Sequence, residues 1–539
     1  MNSSSTNSAP HGLRKIFFDK KDTEGNAVQL DVCYELSNGN IQECLSHFTK
    51  EYGTFLLIPI GGLSAGGKVF QNLKKQQSDI VIGLVITPPA SISEQGNIKY
   101  SMSDENPTRT LTTHELHINK KQLSVIAGAG VVLDQLKATV EEALGKSYSV
   151  LGTDLTSSSY ASCGATFMTG GMGPTRINFA QSVQDIVFCD GNGELKINNK
   201  KELSRLSETY GWTGIVQSVT LPIVKMPPYE FGLAIPISNT STEIAKLVQY
   251  FADKTVITPN GLREVNLLVS GLELITQNSL ELISKHSPNK KILEQLIANC
   301  KKAKKNAVIF ISGLATKNPL EDLTDPLNIF VDNQTSGLSL EEATPFTSMA
   351  TMKVIREGAP ELARRQFMDA KFSYKDHTDI NVVINLEHCS KSVKAIIKCY
   401  EHYKEEIETL IKEENQLRGN VLVYGHLNPQ GLDPHYRITI CSANESVLLT
   451  AKEKAKAAYS NLVKNINQAC METGSKITGG EKGIISNSKI FSSLYHQKSV
   501  LPTAFQNQLK KQAMQISQSN IMFRWRVKDV AQIISAINP

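Results

Sequence analysis

The sequence lacks the long apolar segments that would mark an integral membrane protein. Its longest apolar stretches, FLLIPI at 55–60 and DIVIGLVI at 79–86, are far too short to span a hydrocarbon layer about 30 Å thick. The polar start, MNSSSTNSAPHGLRK, also lacks the apolar core of a secretory signal. We therefore expect no integral membrane segment, while peripheral attachment to a membrane stays compatible with the sequence.

Paired cysteines and a strong excess of one charge are missing as well. The nine cysteines are odd in number, are widely spread and never form a CxxC pair, which favours a reduced, cytoplasmic setting. The 57 basic and 52 acidic residues give a net charge of only +5, and the basic residues are interspersed with acidic ones. This pattern is typical of a solvated surface, and we expect no nucleic acid as a partner.

The length and composition predict a globular chain of two or three domains. A chain of 539 residues exceeds what one core normally supports, and apolar residues make up 40 % of it. Residues 1–30 show no apolar period and are predicted to be a flexible lead-in. The MPP at 226–228 predicts a boundary between a first domain, 31–225, and a second, 226–470, which leaves a C-terminal segment, 471–539.

The order of apolar patterns predicts an α+β protein. Strand-like and helix-like segments alternate in the first half of the chain. After Asp379, the segments INVVINL, SVKAIIKCYEHYKEEIETLIKEE, NVLVYGH, HYRITICS and SVLLTAKEKAKAAYSNLVKNINQAC read as strand, helix, strand, strand and helix. This β-α-β-β-α order is most of a ferredoxin-like unit.

Two glycine-rich segments are candidates for binding a phosphate-bearing cofactor. PIGGLSAGG at 59–67 follows a strand, and GTDLTSSSYASCGATFMTGGMGPTR at 152–176 is dense in hydroxyls and unhindered N–H groups. Glycines permit positive φ and close approach of a ligand, and successive N–H groups form nests for anions. An ordinary hairpin is the alternative for the first segment. GAGVVL at 128–133 also resembles part of a Rossmann fingerprint, although Leu133 replaces its third glycine.

Three blocks, PIGGLSAGG, ASCGATFMTGG and GWTGIV, together and in this order resemble the FAD-linked oxidase family, which includes D-lactate, glycolate and D-2-hydroxyglutarate dehydrogenases. The first block is one residue shorter than the family's pyrophosphate loop. The resemblance implies a two-part FAD-binding domain of PCMH type, as in vanillyl-alcohol oxidase, over 31–225. It implies a ferredoxin-like antiparallel-sheet substrate or cap domain over 226–470, with 471–539 returning to the FAD domain.

The resemblance also implies which residues contact FAD. They are Pro59, Ile60, Gly61, Gly62, Leu63, Ser64, Ala65, Thr153, Asp154, Ser158, Ser162, Gly164, Ala165, Thr169, Gly170, Ile215 and Val216. No histidine or cysteine stands in the pyrophosphate loop where some flavoproteins of this fold attach the flavin covalently, so we expect dissociable FAD. Cys163 lies among these residues, and we expect it to be a buried structural thiol.

The second half carries a candidate metal site. His426 and His435 stand at the end of one predicted strand and the start of the next, so a hairpin would bring both imidazoles to one place. With Glu481 they form a three-ligand set suited to zinc or a similar divalent ion. The alternative is that both histidines are ordinary turn residues.

The family comparison assigns further roles in this half. In the dehydrogenases, the two histidines of GHxGDGNxH and the glutamate of a Glu-His-Gly block bind the metal. Here the first block is longer, GHLNPQGLDPH. Lys482 stands where the family has the histidine that serves as the base. Arg356 corresponds to the arginine that holds the substrate carboxylate, a role that suits a guanidinium. The alternative is that Arg356 is an ordinary charged residue on the surface of a helix. His377 replaces a lysine that makes a second anion contact.

These features predict an FAD-dependent oxidoreductase acting on CH–OH donors. The leading hypothesis is oxidation of a small D-2-hydroxy acid to the keto acid by hydride transfer to the flavin, with Lys482, Arg356 and His377 as catalytic residues. Oxygen, a quinone or a protein would then accept the electrons. The alternatives are a sugar, lactone or alcohol oxidase on the same fold, and a flavin-binding protein that has lost catalysis.

Overall fold

A computed structural model describes residues 9–18, 30–61, 80–86, 98–155, 157–171, 173, 177–190, 193–207, 211, 214–251, 256–257, 267–316, 338, 343–346, 371–379, 382–428, 431–477 and 521–523. Helices and strands are mixed along the chain, and the strands form three large sheets and one small one. The α+β prediction is confirmed. Among the described helices, none combines the length and the apolar character needed to cross a membrane.

The strands, in chain order, are β1 (Leu13–Ile16), β2 (Val32–Leu36), β3 (Phe55–Ile60), β4 (Val81–Val85), β5 (Lys99–Ser103), β6 (Glu115–Asn119), β7 (Ser124–Gly128), β8 (Tyr148–Val150), β9 (Asp185–Cys189), β10 (Glu194–Ile197), β11 (Ile215–Lys225), β12 (Tyr229–Ile237), β13 (Val256–Ile257), β14 (Leu267–Thr276), β15 (Ala307–Ala315), β16 (Thr344–Phe346), β17 (Phe372–Asp379), β18 (Val382–Val383), β19 (Arg418–Asn428), β20 (Gly431–Ser442), β21 (Lys476–Ile477) and β22 (Ile521–Phe523).

The helices, in chain order, are α1 (Ile41–Tyr52), α2 (Leu133–Leu144), α3 (Cys163–Thr169), α4 (Phe179–Ser182), α5 (Lys200–Leu206), α6 (Ser241–Phe251), α7 (Gln277–Ser284), α8 (Lys290–Ala303), α9 (Cys389–Glu413) and α10 (Glu445–Thr473). A 3-10 turn, Leu386–His388, precedes α9. Asparagine side chains cap several helices: Asn40 accepts the Glu43 N–H at the start of α1, and Asn444 accepts the Ser446 N–H at the start of α10.

The first half of the chain, joined by β22 from its C-terminal end, forms two sheets that share an apolar core. The first sheet has the order β1-β2-β4-β3-β22, and β22 pairs in parallel with β3. The second has the order β10-β9-β11-β7-β6-β5, with β8 on β11. Gln217, on β11, has no exposed surface, and its side chain accepts the Ile41 N–H at 2.7 Å and donates to the Leu111 carbonyl at 2.8 Å. This buried amide ties the start of α1 to the second sheet.

The third sheet, β16-β12-β15-β14-β19-β20-β17, is antiparallel along its length. One face packs against α6, α9 and α10 in the largest core cluster, and part of the other packs against α7 and α8. Helix α9 buries Val393, Ile396, Tyr400, Tyr403 and Ile407 at spacings of three and four, as an amphipathic helix should. A small apolar cluster that includes Val224 and Leu268 joins this sheet to the first half.

The strand predicted at INVVINL differs from the structure. Of its described residues, 382–386, Val382–Val383 form a strand, and this strand pairs with β21 in a separate two-stranded sheet. The edge of the large sheet is formed instead by β17, the preceding FSYKDHTD, which pairs with β20 over eight residues. Edge strands face solvent along one side and commonly carry charged residues, so an apolar run is a poor guide to them.

The Rossmann alternative for GAGVVL is wrong. Strand β7 ends at Gly128, and both of its neighbours, β6 and β11, are antiparallel to it. A Rossmann unit requires a parallel strand beside the one that leads into the glycine-rich turn. Gly128 and Gly130 have packing roles, because a Cβ at Gly128 would lie 2.2 Å from the Thr112 carbonyl oxygen.

His114 packs at this same turn. A Cβ at Gly130 would lie 2.5 Å from its ring, which explains the glycine. Its Nδ1 lies 3.1 Å from the Thr113 hydroxyl, whereas Nε2 is buried and has no hydrogen-bond partner among the described residues. Burial lowers the pKa of His114 from 6.5 to about 4.

We predict that His114 makes stability depend on pH between about 6.5 and 4. Because the folded state holds the pKa below its unfolded value, the stability contributed by the neutral ring is complete above about 6.5 and is lost as the pH falls towards 4. His114→Gln should flatten this part of the pH profile of the urea midpoint. The exposed His11→Gln is the control, and an unchanged profile in His114→Gln would contradict the assignment.

Candidate active site

The first two glycine-rich blocks meet at one point of the fold. Gly61 follows β3, and a Cβ on it would lie 2.6 Å from the Ala165 Cβ and 3.6 Å from the Ser162 hydroxyl oxygen. Strand β3 belongs to the first sheet, whereas Ser162 and Ala165 lie at the start of α3, which contacts β7 and β11 of the second. The end of a strand and the start of a helix thus approach each other between the two sheets.

The third block reaches the same strand. A Cβ at Gly211, whose φ is +73°, would lie 2.6 Å from the Pro59 side chain. Ile215 and Val216 begin β11 and are buried. Ile60, another residue predicted to contact FAD, is buried in β3. The three blocks quoted for the family resemblance therefore converge through Pro59, Gly61 and the start of α3.

Many of the expected donors are already used within the protein. The Gly164 N–H donates to the Ala129 carbonyl at 2.9 Å, and the hydroxyls of Thr153 and Thr169 donate to the carbonyls of Val150 and Ala165. Gly164 serves close packing instead, because a Cβ there would lie 2.6 Å from the Ala129 Cβ. These groups position the backbone rather than present donors to a ligand.

Two polar groups at the junction make no hydrogen bond among the described residues. They are the Ser162 hydroxyl, which does not cap α3, and the Ala165 N–H in the first turn of that helix. A helix N-terminus favours negative charge, so both groups suit an anionic oxygen. Gly170, in the left-handed conformation at φ 68°, ends α3.

The other described residues that were predicted to contact FAD near α3 have structural roles. The Ser158 carbonyl accepts the Asp134 N–H at 3.2 Å at the start of α2, and the Asp154 backbone lies against Gly173. Burial raises the pKa of the Cys163 thiol to about 12, which indicates a structural thiol. Some predicted residues lie outside the described ones: Gly62, Leu63, Ser64, Ala65, Arg356, Glu481 and Lys482.

The predicted histidines lie together on the third sheet. Strands β19 and β20 form a hairpin in which His426 is opposite Asp433 and Tyr424 is opposite His435. The two imidazole centroids are 4.7 Å apart at an interplanar angle of 76°. The Tyr424 ring stacks on His435 at 4.8 Å and 5°. The hairpin ladder fixes these positions because opposite residues share a face of the sheet.

Carboxylates accompany both imidazoles. Asp433 Oδ2 lies 3.4 Å from His435 Nε2, and Glu273 Oε1, on β14, lies 3.9 Å from His426 Nδ1. Asp433, His435 and Glu273 are at most 3 % exposed. Such burial of ionisable groups requires pairing or a ligand, so this polar cluster is a site rather than a solvated surface.

The cluster has the donor spacing of a metal site. Ligand atoms of His426, Asp433 and His435 all lie within 4.8 Å of one another. Tetrahedral zinc with bonds of about 2.1 Å places neighbouring donors about 3.4 Å apart, which matches the distance between His435 and Asp433. The three residues therefore fit a divalent ion.

Sequence reasoning missed several residues of this cluster, namely Asp433, Glu273, Tyr424 and Arg437. The period-two spacing of Asp433, His435 and Arg437 on β20 is visible in the sequence and places all three on one face. Glu273 has no such local signal, because its position depends on the pairing of β14 with β19. The backbone of His377, on β17, pairs opposite Arg437.

Comparison with known proteins gives the fold. No protein-family model and no curated protein matches the sequence. The structure is similar to alkyldihydroxyacetonephosphate synthase in two crystal forms. The first has a TM-score of 0.55 and 12 % identity over 90 % of this chain and 81 % of that one. The second has 0.57 and 12 % over 87 % and 79 %.

It is also similar to 4-ethylphenol oxidase from Gulosibacter chungangensis in its isoeugenol complex. The TM-score is 0.51, with 11 % identity over 91 % of this chain and 88 % of that one. At such low identity the likeness bears on architecture. The chain therefore shares the fold of these proteins, which the family resemblance predicted as a PCMH-type domain combined with a cap domain.

Proposed function

We propose that this protein is an FAD-dependent oxidoreductase that oxidises a small D-2-hydroxy acid to the keto acid. The observation that carries the FAD part is the convergence of Pro59, Gly61, Ser162 and Ala165 between two sheets of this fold. The Ser162 hydroxyl and the Ala165 N–H would hold a diphosphate oxygen there. FAD, when bound, supplies the hydride-accepting chemistry.

The histidine cluster supports the substrate part of the proposal. His426, Asp433 and His435 would hold a divalent ion, with Glu273 orienting the His426 ring through Nδ1. Such an ion, when bound, would polarise the substrate's hydroxyl and carboxylate oxygens. Lys482, as base, and Arg356, as carboxylate ligand, remain predictions outside the described residues.

A second candidate is a sugar, lactone or alcohol oxidase that needs no metal. The observation that favours it is the 3.4 Å separation of His435 Nε2 and Asp433 Oδ2. If Nε2–H is directed at this carboxylate, the opposite nitrogen, Nδ1, carries the lone pair that takes the proton of a substrate hydroxyl. Such orientation of an imidazole by a buried carboxylate is a general arrangement for base catalysis.

The proposed FAD site at Pro59, Gly61, Ser162 and Ala165, here called the FAD cradle, predicts the effect of adding a side chain to Gly61. We expect Gly61→Val to lower FAD affinity by at least about tenfold, because the new methyl groups would occupy the space between β3 and α3. The ratio of flavin to protein absorbance after gel filtration measures retained FAD. Gly193→Val is the matched control, since nothing lies within 4 Å of a Cβ there.

Equal flavin content in Gly61→Val and wild type would contradict the cradle. Circular dichroism checks that the Gly61→Val protein is folded. Ser162→Ala provides a second, smaller change at the same point, and its hydroxyl makes no hydrogen bond among the described residues whose loss would weaken the fold. We expect it to lower FAD affinity with an unchanged unfolding midpoint.

The substrate class is tested by anaerobic stopped-flow mixing with a panel of D-2-hydroxy acids. We expect at least one acid to bleach the flavin absorbance, because oxidation of the C2 hydroxyl delivers two electrons to FAD. L-enantiomers serve as the control for geometry at C2. If none of the acids bleaches the flavin while a sugar or an alcohol does, the second candidate is correct.

Metal content separates the two candidates further. The hydroxy-acid proposal predicts about one divalent ion per chain by elemental analysis, and His435→Ala should lose both the ion and flavin reduction while FAD remains bound. Asp433→Asn should weaken the ion roughly 10–100-fold. The exposed His388→Ala is the control. Full flavin reduction after chelation, with a loss in Asp433→Asn, would instead establish the metal-free base.

A further inference from the structure

Arg437 extends the polar row of the histidine cluster. It follows His435 by two residues and Asp433 by four on β20, so alternation along the strand places all three on one face. The ladder puts Leu422 of β19 opposite Arg437. Leu422 and Tyr424 belong to the apolar cluster on this face, which the guanidinium therefore borders.

The Arg437 guanidinium lies against an aromatic ring. Its Cζ is 5.7 Å from the centre of the Tyr424 ring, the ring that stacks on His435. Its Nε is buried and has no hydrogen-bond partner among the residues that the structure describes. Within the described part of the chain Arg437 makes no ion pair, whereas Asp433 lies beside His435 and Glu273 beside His426.

A half-buried guanidinium in this state calls for an anion. Taking a charged donor from water without a partner is costly, and stacking on one aromatic ring offsets only part of that cost. Arginine presents five N–H donors in a fork that suits the paired oxygens of a carboxylate or a phosphate. Asp433, on the same face of β20, lies 3.4 Å from His435, and Glu273 lies 3.9 Å from His426. The described side chains thus pair no carboxylate with Arg437, and a bound anion would suit it.

We propose that Arg437 binds an anionic group of the substrate, a carboxylate or a phosphate, while the histidine cluster contacts the reacting hydroxyl. This inference rests on the proposed function of the same site. The Arg437 Cζ lies 5.7 Å from the centre of the Tyr424 ring, and the His435 ring stacks on that same ring at 4.8 Å. The guanidinium and the imidazole therefore flank one side chain, and one small molecule can reach both. This arrangement favours an anion close to the oxidised carbon.

Arg437 would share or replace the role that the family resemblance gives to Arg356. The two assignments can be distinguished because each arginine can be substituted separately. Oxalate and inorganic phosphate serve as probes of the two anion chemistries, and each is titrated into the FAD-loaded protein and its arginine variants. Calorimetry reports binding whether or not the flavin is ever reduced, so failure of the proposed oxidation leaves the measurement readable.

We expect Arg437→Met to weaken binding of the recognised probe about 10- to 100-fold and Arg437→Lys to weaken it less, since lysine keeps the charge and loses the fork. Arg418→Met, an exposed arginine at the far end of β19, is the matched control and should bind as wild type does. Thermal melting identifies any variant that fails to fold, and Arg437→Gln then replaces Arg437→Met.

Oxalate binding that depends on Arg437 assigns a carboxylate, and phosphate binding that depends on it assigns a phosphate. Either result supports the proposal. Wild-type affinity in Arg437→Met, an equal loss in Arg418→Met, a loss confined to Arg356→Met, or no binding of either probe by wild type overturns it.

Discussion

The close approach of backbone between the first two sheets is the constraint on which the rest of the molecule depends. Gly61 can lie against Ala165, and Gly164 against Ala129, because neither glycine carries a Cβ. A side chain at Gly61 would separate strand β3 from helix α3, and a side chain at Gly164 would separate α3 from the end of β7, in each case by the width of a methyl group or more. The same closeness brings the Ser162 hydroxyl and the Ala165 N–H, which makes no hydrogen bond to the described part of the chain, to the end of β3. The packing requirement and the proposed cofactor site are therefore one feature.

The third sheet meets a different constraint, which is that polar groups share a face with apolar ones. The opposite face is covered by α6, α9 and α10 and forms the largest core, and that burial offsets the cost of the ionisable residues on this side. The part of this second face that packs against α7 and α8 is apolar. Beyond them lie the histidines with their carboxylates and Arg437. This division of one face lets a stable sheet carry a buried polar cluster.

Much of this architecture is predictable from sequence because it is local. The strands around FLLIPI, the long helices and the hairpin with its histidines follow from periodicity and from turn residues, and the family resemblance supplied their arrangement. What was not predictable depends on pairing between distant strands. Glu273 reaches His426 only because β14 lies beside β19, and β17 takes the sheet edge although its sequence, FSYKDHTD, is more polar than INVVINL. Donor use also escapes sequence reasoning, since the Gly164 N–H is taken up by a carbonyl 35 residues earlier in the chain.

The residues between the two histidines belong to the paired part of the hairpin. Strands β19 and β20 continue beyond the histidines to Asn428 and Gly431. In this ladder the rings are 4.7 Å apart, and Asp433 lies directly across from His426. A carboxylate therefore enters the cluster from the hairpin itself. Because its position is fixed by the same backbone hydrogen bonds that fix the histidines, the three side chains of the proposed metal site all come from one hairpin.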